Sequence, residues 1–107
     1  TGKSKWSTDW EHWDSEPAVV ANNESIAMRL SSAPWWKEGQ AYLDFGCGTG
    51  FLARHMLQAG LVGSAVGADV EPAGLDVLCR KAEADGLGDK ITSVRLEHED
   101  GSDLPGV

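Results

Sequence analysis

Three glycines alternate through Gly46-Cys47-Gly48-Thr49-Gly50, directly after the apolar run 41–45. Lacking a Cβ, glycine reaches backbone conformations and close approaches that other residues cannot. The helix that follows offers unpaired N–H groups and positive potential at its start. The spacing therefore predicts a turn that cradles a ligand, with an anion or carboxylate as the favoured group. A tight strand-to-helix connection that needs only small residues is the plainer alternative, and three alternating glycines after a strand weigh against it. Asp69 stands 19 residues beyond Gly50, at the end of a second apolar run. A carboxylate so placed accepts hydrogen bonds from both hydroxyls of a ribose. Alone it would read as a helix-capping acid; with the glycine turn upstream, the ligand role leads. A third acidic element, Glu99-Asp100-Gly101-Ser102-Asp103-Leu104-Pro105, follows a third apolar run. Asp44, Asp69 and Asp100 thus close three strands whose carboxyl ends face one crevice.

Those strands are the elements that must hold the acids in place. Residues 41–45 read as a buried strand, 64–68 as a second ending at Asp69, and 91–96 as a third. Between them, a helix over 50–59 turns Leu52, Met56 and Ala59 inward and is capped by Gly60. Another opens at Pro72, buries Leu75, Leu78, Cys79 and Ala82, and stops at Gly86. Strands alternating with helices predict a parallel sheet with right-handed crossovers. Ahead of them, all five tryptophans precede residue 37. Residues 1–16 are irregular or partly helical, with Trp10 and Trp13 spaced to share a helical face. A helix over 15–33 turns Val19, Ile26, Leu30 and Ala33 to one side and Asn22, Glu24 and Arg29 to the other, and Pro34 ends it. The chain divides into a Trp-rich helical segment, 1–37, and an α/β part, 38–107.

Composition narrows the partners. Nine Lys and Arg stand against 17 Asp and Glu, a net charge of -8, and nucleic-acid binding rests on the opposite balance. A membrane helix needs about 20 consecutive apolar residues, and the runs here are far shorter. Two cysteines without disulfide density, and a polar start without an apolar signal core, point to a reducing, cytoplasmic setting.

Residues 41–52, AYLDFGCGTGFL, resemble the first motif of the class I S-adenosylmethionine-dependent methyltransferases, which reads hydrophobic-Leu-Asp-x-Gly-x-Gly-x-Gly. VGADVEP at 66–72 is similar to the family's second motif, with its ribose-binding acid, and LEHEDGSDLP at 96–105 resembles the third. The resemblance covers residues 38–105 and implies an α/β, Rossmann-like parallel sheet with flanking helices. It also implies S-adenosyl-L-methionine as cofactor. Carried over residue by residue, Gly46, Cys47 and Gly48 line the methionine moiety, and Asp44 organises the turn and meets the amino group through water. Asp69 takes the ribose hydroxyls and Val70 packs on the adenine. Asp100 accepts from the adenine amino group, and the Gly101 N–H faces a ring nitrogen. The acidic balance suits a cationic sulfonium.

The family's sheet runs 3-2-1-4-5-7-6, and this chain supplies strands 3, 2 and 1, so it is expected to be the cofactor half of a larger enzyme, with the acceptor left unspecified. The runner-up is a cofactor-binding module that transfers nothing. A nicotinamide dinucleotide domain fits less well, because Gly-x-Gly-x-x-Gly would need a glycine where Phe51 stands. Strand 41–45 then becomes an apolar edge, from which dimerisation or strand swapping is expected unless the front helix covers it. Cys47 reads as a small residue between glycines rather than a nucleophile. His12, His55 and His98 lack metal-ligand spacing and read as surface groups. Trp10 and Trp13 read equally as a lid over the cofactor or as packing against the sheet, and Arg29 as a solvated helix position.

Overall fold

The computed structural model describes residues 9–100 and 102. Its elements run α1 (Trp10–Trp13), α2 (Pro17–Ser31), β1 (Ala41–Phe45), α3 (Phe51–Gln58), β2 (Ser64–Asp69), α4 (Pro72–Ala84) and β3 (Ile91–Arg95). The three strands form one parallel sheet in the order β1-β2-β3, as the strand-helix alternation requires. Proline opens both α2 and α4, where its missing N–H removes nothing from the helix ladder.

Register places Tyr42, Ala65 and Ile91 side by side on one face of the sheet. That face meets Met56 and Leu57 of α3 and Leu75, Leu78 and Ala82 of α4 in a single apolar core, which Ala27 of α2 joins. At a position facing this core, Gly67 leaves room for the Leu78 side chain: a Cβ there would lie 2.8 Å from Leu78 Cδ1. On the opposite face, by the alternation of side chains along a strand, stand Leu43, Phe45, Val66 and Val94. Leu43 and Phe45 are 47% and 48% exposed.

Three expectations about burial need correction. Residues 41–45 do form a strand, but β1 is the edge of the sheet and has helices on one face only, so Ala41, Leu43 and Phe45 are exposed. Cys79 is exposed, its Sγ 3.3 Å from Ser93 Oγ, and Val77 takes the inward position instead. Ala59 is exposed as well, because α3 ends at Gln58 and its buried face is Ala53, Arg54, Met56 and Leu57. Helix α2 is two residues shorter at each end than the spacing predicts. The Ser32 hydroxyl donates back to Met28 O at 2.7 Å and closes its last turn. Among the described residues, no helix is long and apolar enough to cross a membrane.

Candidate functional site

At the end of β1 the chain folds over the tip of β2. The Gly46 and Cys47 N–H groups both donate to Ala68 O, at 2.7 and 3.1 Å, and the Gly50 N–H donates to Cys47 O at 2.8 Å. Such a reversal needs left-handed backbone, and Gly46, Gly48 and Gly50 supply it with φ of 77°, 57° and 72°. Asp69 then ties the turn to the start of α4. One of its oxygens accepts from the Gly48 N–H at 2.8 Å and the other from the Glu71 N–H at 2.9 Å.

This bonding takes the glycine turn's own N–H groups out of any role in holding an anion or carboxylate, and leaves that role to the start of α3. The Gly46, Cys47, Gly48 and Gly50 N–H groups are all engaged within the protein. The charged side chains lining the adjacent cavity, Asp44, Asp69, Glu71 and Glu99, are moreover all acidic. A cavity of that character favours a ligand carrying positive charge.

The cavity, of about 450 Å3, opens at the carboxyl ends of the strands. Six of the expected residues line it together: Asp44, Gly46, Cys47, Gly48, Asp69 and Val70. Asp100 does not. Its carboxylate accepts from the Ser102 N–H at 2.9 Å inside its own loop, which holds it below the usual carboxylate range, while its neighbour Glu99 reaches the cavity. Gly101 lies outside the described residues. Burial, and then the nearby Asp69 charge, push the Asp44 carboxyl up to about 6. Burial followed by the Asp44 and Asp69 charges push the Cys47 thiol up to about 12. Cys47 is thus a neutral thiol at pH 7 and a poor nucleophile, in keeping with its reading as a small residue. His12 is exposed and bonds to Asp9 at 2.8 Å, and Arg29 is exposed on α2.

The family model described as "Methyltransferase domain" matches residues 43–106. The chain belongs to this family. A ribosomal protein L11 methyltransferase of Haemophilus influenzae is 36% identical over 116 residues, an alignment that covers 96% of this chain and 39% of that protein. The chain therefore spans about two fifths of that relative's length. Among solved structures, TrmK of M. capricolum, determined with the cofactor product S-adenosylhomocysteine, superposes with a TM-score of 0.63. It is 15% identical and covers 80% of this chain and 35% of its own. The [4+2]-cyclase SpnF matches as well, with a TM-score of 0.62 at 21% identity, over 75% of this chain and 28% of that one. At such identities the likeness establishes the fold alone, and the chemistry has to be argued from the site.

In this methyltransferase domain, several cavity residues are ones to which the sequence motifs assign no contact. Asn23 reaches it from α2, Phe51 and Leu52 from α3, and Leu96 from the end of β3. Trp10 and Trp13 line it too, their ring centroids 5.9 Å apart. Behind the glycine turn lies an ion cluster that motif reading also missed. Asp14, 9% exposed at its side chain, accepts from Thr49 Oγ1 at 2.5 Å and from Lys81 Nζ at 2.9 Å, and pairs with Arg54. Arg54 also donates through Nε to Thr49 O at 3.2 Å. A charged residue at 54, on the otherwise apolar inward face of α3, is the one hint the sequence held.

The turn is also wedged against α4. A Cβ on Gly74 would lie 3.0 Å from Gly48 O and 3.1 Å from Gly48 C, which are backbone atoms that cannot swing aside. Gly74→Ala is expected to lower stability by about 1–3 kcal/mol, the usual range for overpacking, as read from urea unfolding midpoints. Alanine is the better helix former, so a gain in stability would refute this contact.

Proposed function

We propose that the chain is the cofactor-binding half of an S-adenosylmethionine-dependent methyltransferase, divided into a Trp-rich helical segment, 1–37, and a partial S-adenosylmethionine-binding α/β domain, 38–107. The observation that carries this reading is the convergence of Asp44, the glycine turn, Asp69 and Val70 on one acidic cavity at the carboxyl edge of the sheet. The residues fit the group chemically. Each Asp69 oxygen takes one N–H and retains a second acceptor site for a ribose hydroxyl. Val70 offers an apolar surface to the adenine, and Gly46, Cys47 and Gly48 present a surface nearly free of side chains to the methionine part. Asp44 meets the cationic amino group. Asp100 and Gly101 take the adenine edge, which requires Asp100 to turn its carboxylate toward the cavity. When bound, S-adenosylmethionine supplies a methyl group made electrophilic by its sulfonium. The protein's part is to orient that group, and the acceptor comes to it from the remainder of the enzyme.

Two free thiols, Cys47 and Cys79, support a reducing cytoplasmic setting. The open edge of β1, with Leu43 and Phe45 half exposed, supports pairing with a further strand, from another copy or from the same protein.

Calorimetric titration with S-adenosylmethionine and S-adenosylhomocysteine tests the cofactor reading, and binding of neither would overturn it. Asp44 sets the pH dependence. Its carboxyl is raised to about 6 from 3.8, so the folded protein holds the proton more tightly than the unfolded chain does. Its contribution to stability is therefore complete below about pH 4 and is lost as pH rises through about 6. A bound cation favours the ionised form, so affinity is expected to fall as pH drops below about 6, by up to about tenfold per unit. Asp44→Asn should make the ligand-free protein more stable at pH 7 and weaken binding. Unfolding and titration series from pH 5 to 8 would show both effects, and an unchanged pH profile in the variant would contradict the assignment.

A further inference from the structure

Helix α1 is a single turn with no buried residue, yet it is tied to the site at several points. Asp14 grips the glycine turn through Thr49 Oγ1 at 2.5 Å and reaches α4 through Lys81 Nζ at 2.9 Å, while Arg54 closes the cluster from α3. Glu11 pairs with Arg80 on the exposed side, and its carbonyl accepts from Lys81 Nζ at 3.3 Å. The outcome is the placement of Trp10. Its ring lies so close over Gly48 that a Cβ there would sit 3.1 Å from Trp10 Cζ3, and the same ring walls the cavity beside Trp13. None of these strap residues belongs to the apolar core, so the strap's docking depends on these polar ties and the Trp10 contact rather than on core packing.

We propose that residues 9–14 are a strap whose docking is coupled to occupancy of the cavity, with Asp14 as positioning residue and Trp10 as the ligand-contacting wall. This rests on the cofactor-site reading above. A ligand touches Trp10 and Trp13 only when the strap is down, so it binds the docked state more tightly and shifts the strap toward it. By reciprocity, whatever loosens the strap weakens the ligand by the same factor. Asp14 is the pivot, because it holds the strap and the turn through one carboxylate: Thr49, which it fixes, lies between Gly48 and Gly50. An aromatic face on a cavity lined by four carboxylates also suits a cationic ligand.

The test titrates S-adenosylhomocysteine into the full chain and into Asp14→Asn and Trp10→Ala, and follows amide exchange of residues 12–16 with and without ligand. Ligand should slow exchange in this segment of the unsubstituted protein. Asp14→Asn should bind at least about fivefold more weakly, the lower end of usual coupling factors, with faster exchange there and unchanged exchange in β2. Trp10→Ala removes the wall without touching the buried ions, and should also bind at least about fivefold more weakly even if Asp14→Asn fails to fold. Equal or tighter binding by Trp10→Ala, or by a folded Asp14→Asn, would overturn the coupling. Tighter binding would mean that the Trp10 ring plugs the cavity rather than walling it. Absence of binding by the unsubstituted chain would instead remove the cofactor reading, and the coupling with it.

Discussion

Asp69→Ala is expected to lower affinity for S-adenosylmethionine by about 100-fold or more and to destabilise the ligand-free protein as well. The carboxylate has two tasks in one place. Towards the protein it accepts the Gly48 and Glu71 N–H groups, at 2.8 and 2.9 Å, and so ties the glycine turn to the start of α4. Towards the ligand it offers its remaining acceptor sites to the ribose hydroxyls. A hydrogen bond to a charged group contributes about 1.5–3 kcal/mol, so losing the two N–H bonds alone lowers stability by about 2–4 kcal/mol after water replaces part of them. Losing the ligand's bonds accounts for the affinity, since about 1.4 kcal/mol is tenfold. Asp69→Asn should recover little, because an amide presents a donor where one of the two N–H groups needs an acceptor. Calorimetric titration reads the affinity and urea unfolding the stability. Binding within a few-fold of the unsubstituted protein would remove Asp69 from the ligand's surroundings and leave it a brace for the turn.

The second large effect falls on stability. Arg54 is only 8% exposed, and its guanidinium joins Asp14, Thr49 O and, at 3.8 Å, Asp85. Arg54→Met removes one partner and leaves the Asp14 carboxylate, itself 9% exposed, with Lys81 and the Thr49 hydroxyl alone. Breaking a buried pair in this way costs about 3–5 kcal/mol. The lower end is expected here, since Lys81 stays within 2.9 Å of Asp14. Against the roughly 5–15 kcal/mol that separates a typical folded domain from its unfolded chain, this is a substantial share. The double variant Arg54→Met with Asp14→Leu should regain most of the loss, because two apolar groups no longer strand a charge. Thermal unfolding of the set reads both numbers, and a loss below about 1 kcal/mol for Arg54→Met would mean that the cluster is solvated.

These two residues mark the boundary of what motif reading reaches. Asp69 is legible because its role depends on local order: a strand, a turn of alternating glycines, a helix and a second strand bring it to the turn whatever surrounds them. Arg54 has no such frame. Its charged partners Asp14 and Asp85 lie 40 and 31 positions away, and nothing along the chain announces that they meet. Asp100 shows the same limit at short range. The motif places an acid after β3, yet the loop turns Glu99 into the cavity and leaves Asp100 bonded to Ser102.

Periodicity and punctuation along the chain were sufficient for the element types, the parallel sheet and six of the residues that line the cavity. Each of these follows from backbone geometry within a few tens of residues: glycine where φ is positive, proline where a helix opens, apolar spacing where a strand or helix buries a side. Folding in three dimensions settled the exposure of Leu43 and Phe45, the turn of Glu99 rather than Asp100 into the cavity, the outward turn of Cys79 and the docking of α1 over Gly48. Those depend on which distant groups become neighbours, and on the low dielectric that makes a buried carboxylate such as Asp44 or Asp14 answer to charges far from it in sequence.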